Sequence, residues 1–174
     1  MSHSQVLIAP VTEHNAAPAA GFLTEWVLDD GANTRGYLAD HTSDDGASLI
    51  AMGNDRLIGI VCTLWESNYA EFRERGIPLV RQLCVAEPFR QKGIATRLMD
   101  AMEGLALDRG FTMLGITVGL FDAYGPAQRL YARRGYLPDG RGACRGQQPL
   151  PQGACVTMDD DLILWLTKDL TPGW

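Results

Sequence analysis

The sequence predicts one α/β domain, of mixed α/β or α+β type, with helices on both faces of a central sheet. Three observations support this prediction: β-like runs alternate with segments of helical periodicity, turn formers separate them, and no repeat or low-complexity tract interrupts the order. With 174 residues, of which 46% are hydrophobic, the chain can bury one sizeable core but is too short for two ordinary domains. We therefore assign residues 1–174 to a single domain.

The first part of the chain predicts a strand, a helix and a hairpin. Residues 5–11 form a β-like run, and a helix begins with Thr12. Residues 29–46 are polar and glycine-rich, which predicts a loop or a short helix. Two β-like runs then flank the turn formers of residues 53–56, so that residues 48–65 predict a β-hairpin.

The middle of the chain predicts a strand followed by a long helix. Residues 67–76 are rich in charged residues and predict an excursion over the surface before a strand over residues 77–85. From Ile94 the apolar residues recur at three- and four-residue steps, and Gly110 provides a stop. This helix is expected to pack on the sheet.

The last part predicts a strand, a short helix and a closing strand. Apolar residues alternate with small ones over residues 112–120, as a strand requires. Pro126 and Gly135 bound a short helix, because proline is tolerated in a first turn and glycine can end a helix in the left-handed conformation. A long connection over residues 138–153 then precedes a closing strand over residues 162–167.

The charge balance excludes some classes of partner. A formal net charge of −6 and a pI near 5.0 argue against broad nucleic-acid binding, which requires many lysines and arginines, whereas they permit a cationic amine substrate. No apolar run approaches the length that crosses a bilayer, and no leader-like segment is present, so we expect a soluble, cytoplasmic protein without membrane contact.

The cysteines and histidines predict neither a disulfide framework nor a metal site. The four cysteines lack paired spacing, and we expect two of them, Cys62 and Cys84, to be small buried residues. The three histidines, His3, His14 and His41, show no ligand spacing and are expected to be solvated.

The most informative stretch is Arg90-Gln91-Lys92-Gly93-Ile94-Ala95, which lies between a predicted strand and the predicted long helix. At a helix start, amide N–H groups without intrahelical partners and the helix dipole favour an anion, and a glycine lets a phosphate approach the backbone closely. The stretch therefore predicts a phosphate site.

Two motifs resemble the GCN5-related N-acetyltransferase (GNAT) family. The stretch 90–95 fits the pattern Q/R-x-x-G-x-G/A, and residues 127–136 look like the later segment A-x-x-L-Y-x-x-x-G-F/Y on the following helix. The resemblance covers residues 6–167 and implies a mixed, mostly antiparallel sheet of six to seven strands. It also implies a cleft where the strand ending at Val85 splays from the strand over residues 112–120.

The resemblance implies acetyl-coenzyme A as co-substrate and assigns residues to it. The pyrophosphate would rest on the backbone of residues 91–96, and the pantetheine arm would run beside residues 83–85. The cofactor-binding residues are thus Leu83, Cys84, Val85, Arg90, Gln91, Lys92, Gly93, Ile94, Ala95, Thr96, Tyr124 and Ala127.

Positive side chains near the motif suit a polyanionic cofactor. Arg90, Lys92 and Arg97 cluster where the phosphates would lie, as an exception in an acidic protein. Arg133 and Arg134 either add to this cluster or are ordinary solvated charges at a helix end.

Tyr131 is the predicted general acid, by resemblance, because a phenol beside the departing thiolate can donate a proton. The alternative is a tyrosine that only packs on the sheet. Tyr124 stands where the family often has Asn, three residues before the motif's alanine; its hydroxyl either replaces that side chain or lines the pocket.

The base that removes the amine proton is harder to assign. Glu66, after the hairpin, is the first candidate, and Asp122, after the fifth strand, is the second; the alternative for both is a solvated loop carboxylate. Four aromatic residues either line an acceptor pocket or pack in the core: Trp26, Trp65, Tyr69 and Phe72.

The resemblance implies an acyltransferase that moves the acetyl group to a primary amine, expected to be on a small molecule. A sensor that binds acetyl-coenzyme A without turnover is the alternative within the same fold. A P-loop protein and a dinucleotide oxidoreductase are excluded, because neither G-x-x-x-x-G-K-[ST] nor G-x-G-x-x-G occurs. Homodimers are common in the family, and residues 144–156 could mediate one.

Overall fold

A computed structural model describes residues 6–27 and 34–171, apart from the side chain of Arg35. It contains five α-helices: α1 (Ala16–Trp26), α2 (Thr34–Asp40), α3 (Ala70–Glu74), α4 (Ile94–Asp108) and α5 (Gly125–Arg133). Nine strands form the sheet: β1 (Leu7–Pro10), β2 (Gly46–Gly53), β3 (Arg56–Leu64), β4 (Leu79–Val85), β5 (Met113–Gly119), β6 (Leu137–Pro138), β7 (Cys144–Arg145), β8 (Gln148–Pro149) and β9 (Leu162–Asp169).

The sheet is mixed but mostly antiparallel, as the family resemblance implies. Its strands follow the order β1-β2-β3-β4-β5-β9-β7-β8, and β6 pairs with β9 beside β7. Only β4 and β5 run parallel to each other among the paired strands of the described residues. The strand number exceeds the expected six to seven because three two-residue strands form where the sequence predicted a long connection: β6 at its start, and β7 and β8 within it.

The parallel pair β4–β5 diverges after a short contact. Only Leu79 with Gly115 and Val80 with Ile116 are in register, and both strands continue beyond that point without pairing to each other. The predicted splayed cleft is therefore present, and it opens toward Val85 at the end of β4.

Helix α4 covers one face of the sheet and forms the largest core with it. Its fully buried residues Leu98, Met99, Met102 and Ala106 pack against Val61 and Leu114 and against other buried sheet residues. The three- and four-residue steps seen in the sequence thus mark the buried face of this helix.

Two separate cores occupy the opposite face. Helices α1 and α2 pack on β2 and β3, where Leu23, Ile50 and Ile60 are buried. Phe72 of α3 and Tyr69, the residue before this helix, pack on β5 and β9. Both side chains are at most 1% exposed. The prediction of a surface excursion over residues 67–76 is therefore wrong for these two aromatic residues.

Local details differ from the sequence prediction at two further points. Helix α1 begins at Ala16 rather than Thr12, because the side chain of Asn15 accepts a hydrogen bond from the Thr12 amide at 2.7 Å and closes a turn there. His41 was expected to be solvated, yet it is only 3% exposed beneath α2, whereas His14 is exposed. The prediction for His3 lies outside the described residues.

The hairpin prediction is confirmed. Strands β2 and β3 pair antiparallel around Asn54 and Asp55, whose φ angles of 50° and 60° are those that a two-residue hairpin turn requires. Cys62 is fully buried and Cys84 is half-buried, and the cysteines are free.

The segment that could mediate a dimer, residues 144–156, is exposed only in part. Cys144 is fully buried within the chain, whereas Val156 is 40% exposed. In the described ranges, no helix has the length and apolar character needed to cross a membrane. The described side chains also form no group of three or more His, Cys, Asp or Glu residues that could hold a metal ion.

Candidate active site

A cavity of about 580 Å³ lies beside β4, at the open end of the cleft. The end of β4, the loop that follows it, the start of α4 and one face of α5 surround it. Its lining residues are Leu83, Val85, Phe89, Arg90, Gln91, Gly93, Ile94, Ala95, Thr96, Pro126, Ala127, Arg129, Leu130, Tyr131 and Arg133.

The loop before α4 directs its backbone into this cavity. Gly93, the residue that precedes the helix, has a φ of 77°, and Gln91 has a φ of 59°. The first helical hydrogen bond runs from the amide of Arg97 to the carbonyl of Gly93 at 3.1 Å, so the amides of residues 94–96 precede the helical ladder. No heavy atom lies within 4 Å of the position where a Cβ of Gly93 would stand, which leaves room for a ligand.

Three arginines supply positive charge to the cavity. Arg90 lines it and donates from Nε to the carbonyl oxygen of Val85 at 3.0 Å. Arg129 and Arg133 line it from α5, four residues apart and therefore on one face of that helix. A polyanion in the cavity would contact these cations together with the free amides at the start of α4.

The other predicted cations lie outside the cavity. Lys92 donates to the carbonyl of Pro88 at 3.0 Å, and its Nζ lies 5.6 Å from the centre of the Phe89 ring. Arg97 donates to the carbonyl of Val6 at 2.6 Å and so ties α4 to the residue before β1.

Arg134 belongs to a buried network rather than to the cavity. Its guanidinium pairs with Glu103 and Asp100, each at 2.8 Å, and Glu103 also accepts a hydrogen bond from the Tyr136 hydroxyl at 3.1 Å. Burial alone would lower the pKa of Arg134, but these two carboxylates raise it above its ordinary value. Of the two readings left open for Arg133 and Arg134, the structure brings only Arg133 to the cavity.

Tyr131 lines the cavity from α5, opposite β4, and is only 5% exposed. Burial raises the pKa of its phenol above the ordinary value of 10.0, and the nearby Tyr124 adds to this effect. Its hydroxyl forms no hydrogen bond with any other described residue, so a ligand in the cavity could be its partner. A neutral phenol in this position can donate a proton to a bound ligand.

Tyr124 does not line the cavity. Its hydroxyl donates to Asp160 at 2.8 Å, and its ring packs against Gly119 where any Cβ would collide with it. Burial, followed by the contact with Asp160, raises the pKa of this tyrosine to about 12. The predicted contact of Tyr124 with the cofactor therefore has no support from this geometry.

The candidate bases are not brought together with Tyr131. Glu66 is exposed and lines a smaller cavity of about 360 Å³ with Trp65 and Arg73, near the end where β4 begins. Asp122 is exposed in a 3-10 turn after β5. Among the described residues, no carboxylate lines the larger cavity.

The structure thus brings together most of the predicted cofactor residues. Leu83, Val85 and Ala127 line the cavity with the loop and helix start, whereas Cys84 lies under α1, with its Sγ 3.9 Å from the carbonyl of Trp26. Sequence reasoning missed Arg129. Its signal was available, because Arg129 and Arg133 stand one helical turn apart around Leu130 and Tyr131 on the second motif.

The model of one protein family matches this chain. Its description is the acetyltransferase (GNAT) family, and it matches residues 12–136. No curated protein sequence matches the chain.

Solved structures share the fold at low sequence identity. "Aminoglycoside 6′-acetyltransferase type Ii" has a TM-score of 0.71 and 18% identity, over 96% of this chain and 99% of that chain. An aminoglycoside 6′-N-acetyltransferase complexed with coenzyme A has a TM-score of 0.68 and 16% identity, over 96% and 98% of the two chains. The ribosomal-protein-S18-alanine N-acetyltransferase from Escherichia coli has a TM-score of 0.71 and 11% identity, over 98% and 97%.

Proposed function

We propose that this chain, which belongs to the acetyltransferase (GNAT) family, moves an acetyl group from acetyl-coenzyme A to a primary amine of a small molecule. The transfer would occur by direct attack in a ternary complex. The observation that carries the proposal is the shared cavity of Gly93, three arginines and Tyr131, which combines a phosphate site with a buried proton donor.

The donor set of the cavity fits coenzyme A. The amides at the start of α4 and the guanidinium groups of Arg90, Arg129 and Arg133 suit its phosphates. The apolar side chains of Leu83 and Val85 suit the thinner arm that carries the thioester. Acetyl-coenzyme A, when bound, supplies a thioester carbonyl and a thiolate leaving group.

Tyr131 would act on the leaving group. The amine nitrogen would form a bond to the acetyl carbon and lose one proton, and the carbon–sulfur bond would break. The phenol of Tyr131 would donate its proton to the sulfur as negative charge develops there and regain one, through solvent, from the nitrogen. Because burial raises the pKa of Tyr131, the phenol keeps its proton at neutral pH and can offer it to the sulfur as a hydrogen bond while negative charge develops there.

A small amine is the acceptor that the charge of the chain favours. The net charge of −6 attracts cations toward the protein surface, and most amines are cations at neutral pH. The amine must lose its proton before it attacks, and no carboxylate of the described residues lines the cavity. A chain of water molecules toward Asp122 or Glu66 would then carry that proton.

The test is Tyr131→Phe, assayed by free thiol release with a panel of amines. We expect kcat to fall by about 100-fold, the contribution of a positioned general acid, while the Kd for acetyl-coenzyme A stays unchanged. Tyr136→Phe is the matched control, since it also removes a buried hydroxyl but one that lies outside the cavity and donates to Glu103. Equal turnover in Tyr131→Phe and the wild type would remove Tyr131 from the mechanism.

The second candidate function is a sensor that binds acetyl-coenzyme A without turnover. The absence of a carboxylate from the lining of the described cavity favours it, since no base stands beside Tyr131. Tight binding of acetyl-coenzyme A together with no thiol release for any amine of the panel would establish this function and refute the enzymatic one.

A further inference from the structure

Two aromatic side chains form a pair at the end of α2, on the face of the sheet opposite α4. The rings of Tyr37 and His41 stack with their centres 4.1 Å apart. Nδ1 of His41 lies 2.6 Å from the carbonyl oxygen of Tyr37. Because a carbonyl cannot donate, Nδ1 carries the proton, and the contact holds both rings in place.

This pair contains two buried polar atoms, the hydroxyl of Tyr37 and Nε2 of His41. Among the residues that the structure describes, none accepts a hydrogen bond from that hydroxyl and none donates one to Nε2. His41 is only 3% exposed. Buried polar atoms without partners are rare in folded proteins, and a site that waits for a ligand is one explanation for them.

Arg81 is the charged group beside the pair. It is the extra residue of a β-bulge, since Val80 pairs with Thr63 and Gln82 pairs with Cys62. Its guanidinium lies close enough to the Tyr37 hydroxyl to donate to it, and its positive charge also acts on His41. Arg81 is exposed, and it forms no ion pair with a carboxylate of the described residues.

The bulge lies close to the reaction site. Arg81 stands two residues before Leu83, which lines the larger cavity, and two residues of a strand span about 6.6 Å. It also lies just past Val80, where β4 and β5 part. Leu83 packs on the α4 face, so a molecule that contacts Arg81 on the opposite face could reach the cavity through the gap between β4 and β5.

We propose that Arg81 and the Tyr37 hydroxyl hold an oxyanion of the acceptor, a carboxylate or a phosphate, so that the acceptor is a small zwitterionic amine. His41 is a positioning residue that holds the Tyr37 ring. Both groups offer N–H or O–H donors, which an oxyanion accepts. Burial, the largest effect, lowers the pKa of His41, so the ring stays neutral and Arg81 is the cation of the site. The inference rests on the proposed acetyl transfer.

The experiment compares matched acceptors that differ only in the oxyanion. Ornithine is paired with putrescine, tyrosine with tyramine, and phosphoethanolamine with ethanolamine, and each is assayed by thiol release with acetyl-coenzyme A. We expect the wild type to have a lower KM for the anionic member of at least one pair. The pair that shows the preference distinguishes a carboxylate from a phosphate.

The variants Arg81→Met and Tyr37→Phe test the residues. We expect each to raise the KM for the preferred anionic acceptor by about 10- to 100-fold, the effect of one lost hydrogen bond to a charged group. The KM for the matched acceptor that lacks the oxyanion, and the Kd for acetyl-coenzyme A, should each stay within about twofold of the wild-type value. A general loss of structure would change both. Arg56→Met, at the exposed start of β3, is the matched control and should change neither KM.

Other outcomes overturn the inference or the function separately. Equal or better use of the amines without an oxyanion by the wild type overturns the oxyanion site but leaves acetyl transfer standing. No turnover with any amine refutes the proposed function. In that case, binding of the anionic amines is measured by calorimetry in the presence of coenzyme A. Equal affinities of the wild type and Arg81→Met would overturn the oxyanion site as well.

Discussion

The direction of each arginine side chain determines whether its positive charge reaches the cavity. Arg133 and Arg134 are neighbours in sequence, yet one lines the cavity and the other pairs with Glu103 and Asp100. The difference follows from the helix, because successive residues point about 100° apart around its axis. Charge identity alone could not distinguish them, whereas the periodic set Arg129 and Arg133 could have been read from the motif.

The pKa of Tyr131 predicts the pH dependence of turnover. Burial raises this pKa above 10.0, so the acid form is present at all pH values below the raised pKa and is lost only above it. We expect kcat with a weakly basic amine to show no descending limb up to about pH 10, the pH at which an exposed tyrosine is half ionised.

A pH profile of kcat in the wild type and in Tyr131→Phe checks this expectation. A descending limb centred near pH 8 that disappears in Tyr131→Phe would mean that the phenol is ionised far more easily than its burial permits. A limb that persists in the variant would belong to another group.

At the level of elements, the two ends of α4 offer a matched comparison. Gly93 precedes the helix with a φ of 77°, and Gly110 follows it with a φ of 87°; neither has a heavy atom within 4 Å of an added Cβ. An alanine at either position is strained by about 1–2 kcal/mol, the cost of a left-handed conformation. Only Gly93 lines the cavity.

We expect Gly93→Ala to weaken acetyl-coenzyme A binding by about tenfold or more, since a methyl group would stand where the phosphate approaches the backbone. Gly110→Ala should lose similar stability but keep the affinity. Calorimetric titration and chemical denaturation of both variants measure the two effects. Equal affinity losses in the two variants would show that strain, and not the phosphate contact, is responsible.

Elements set by local sequence were predicted well. The hairpin at Asn54 and Asp55 and the bounds of α4 and α5 follow from turn formers and helix ends, which act within a few residues. Helix α3 was missed because its place depends on distant residues. Phe72 occupies the space beside Gly115 of β5, where any Cβ would collide with its ring. Tyr69 stacks on Trp165 with ring centres 3.7 Å apart.

The residues of the candidate site likewise divide into those that local sequence predicts and those whose place depends on distant residues. The phosphate loop and Tyr131 each lie on a contiguous sequence motif, and both line the cavity as the sequence predicted. The cluster of Tyr37, His41 and Arg81 joins α2 to a β-bulge, and the bulge depends on a register between strands that no local pattern encodes. His41 was therefore expected in solvent.

For the whole molecule, Glu103 links three parts of the fold. Its side chain, 11% exposed, accepts from Arg134 after α5 at 2.8 Å, from Tyr136 at 3.1 Å and from Lys168 of β9 at 2.6 Å. We expect Glu103→Ala to destabilise the protein by about 3–5 kcal/mol, because two partly buried cations and a phenol lose their common acceptor. For a chain of this size the melting temperature would fall by about 10 °C.

Thermal and chemical denaturation measure this effect, with Glu25→Ala on the exposed side of α1 as the control. The control should shift stability by no more than about 0.5 kcal/mol. If Glu103→Ala unfolds at the wild-type midpoint, the network contributes nothing net to stability.

The divergence of β4 and β5 gives the sheet an interior edge. Past Val80 and Ile116 the facing backbones have peptide groups with no neighbouring strand, as at the outer rim of an ordinary sheet. Such groups pair readily with another extended chain that carries amides. The pantetheine arm is such a chain, so a bound acetyl-coenzyme A would occupy the place of a missing strand. The protein would then bind the amides of acetyl-coenzyme A as well as its phosphates.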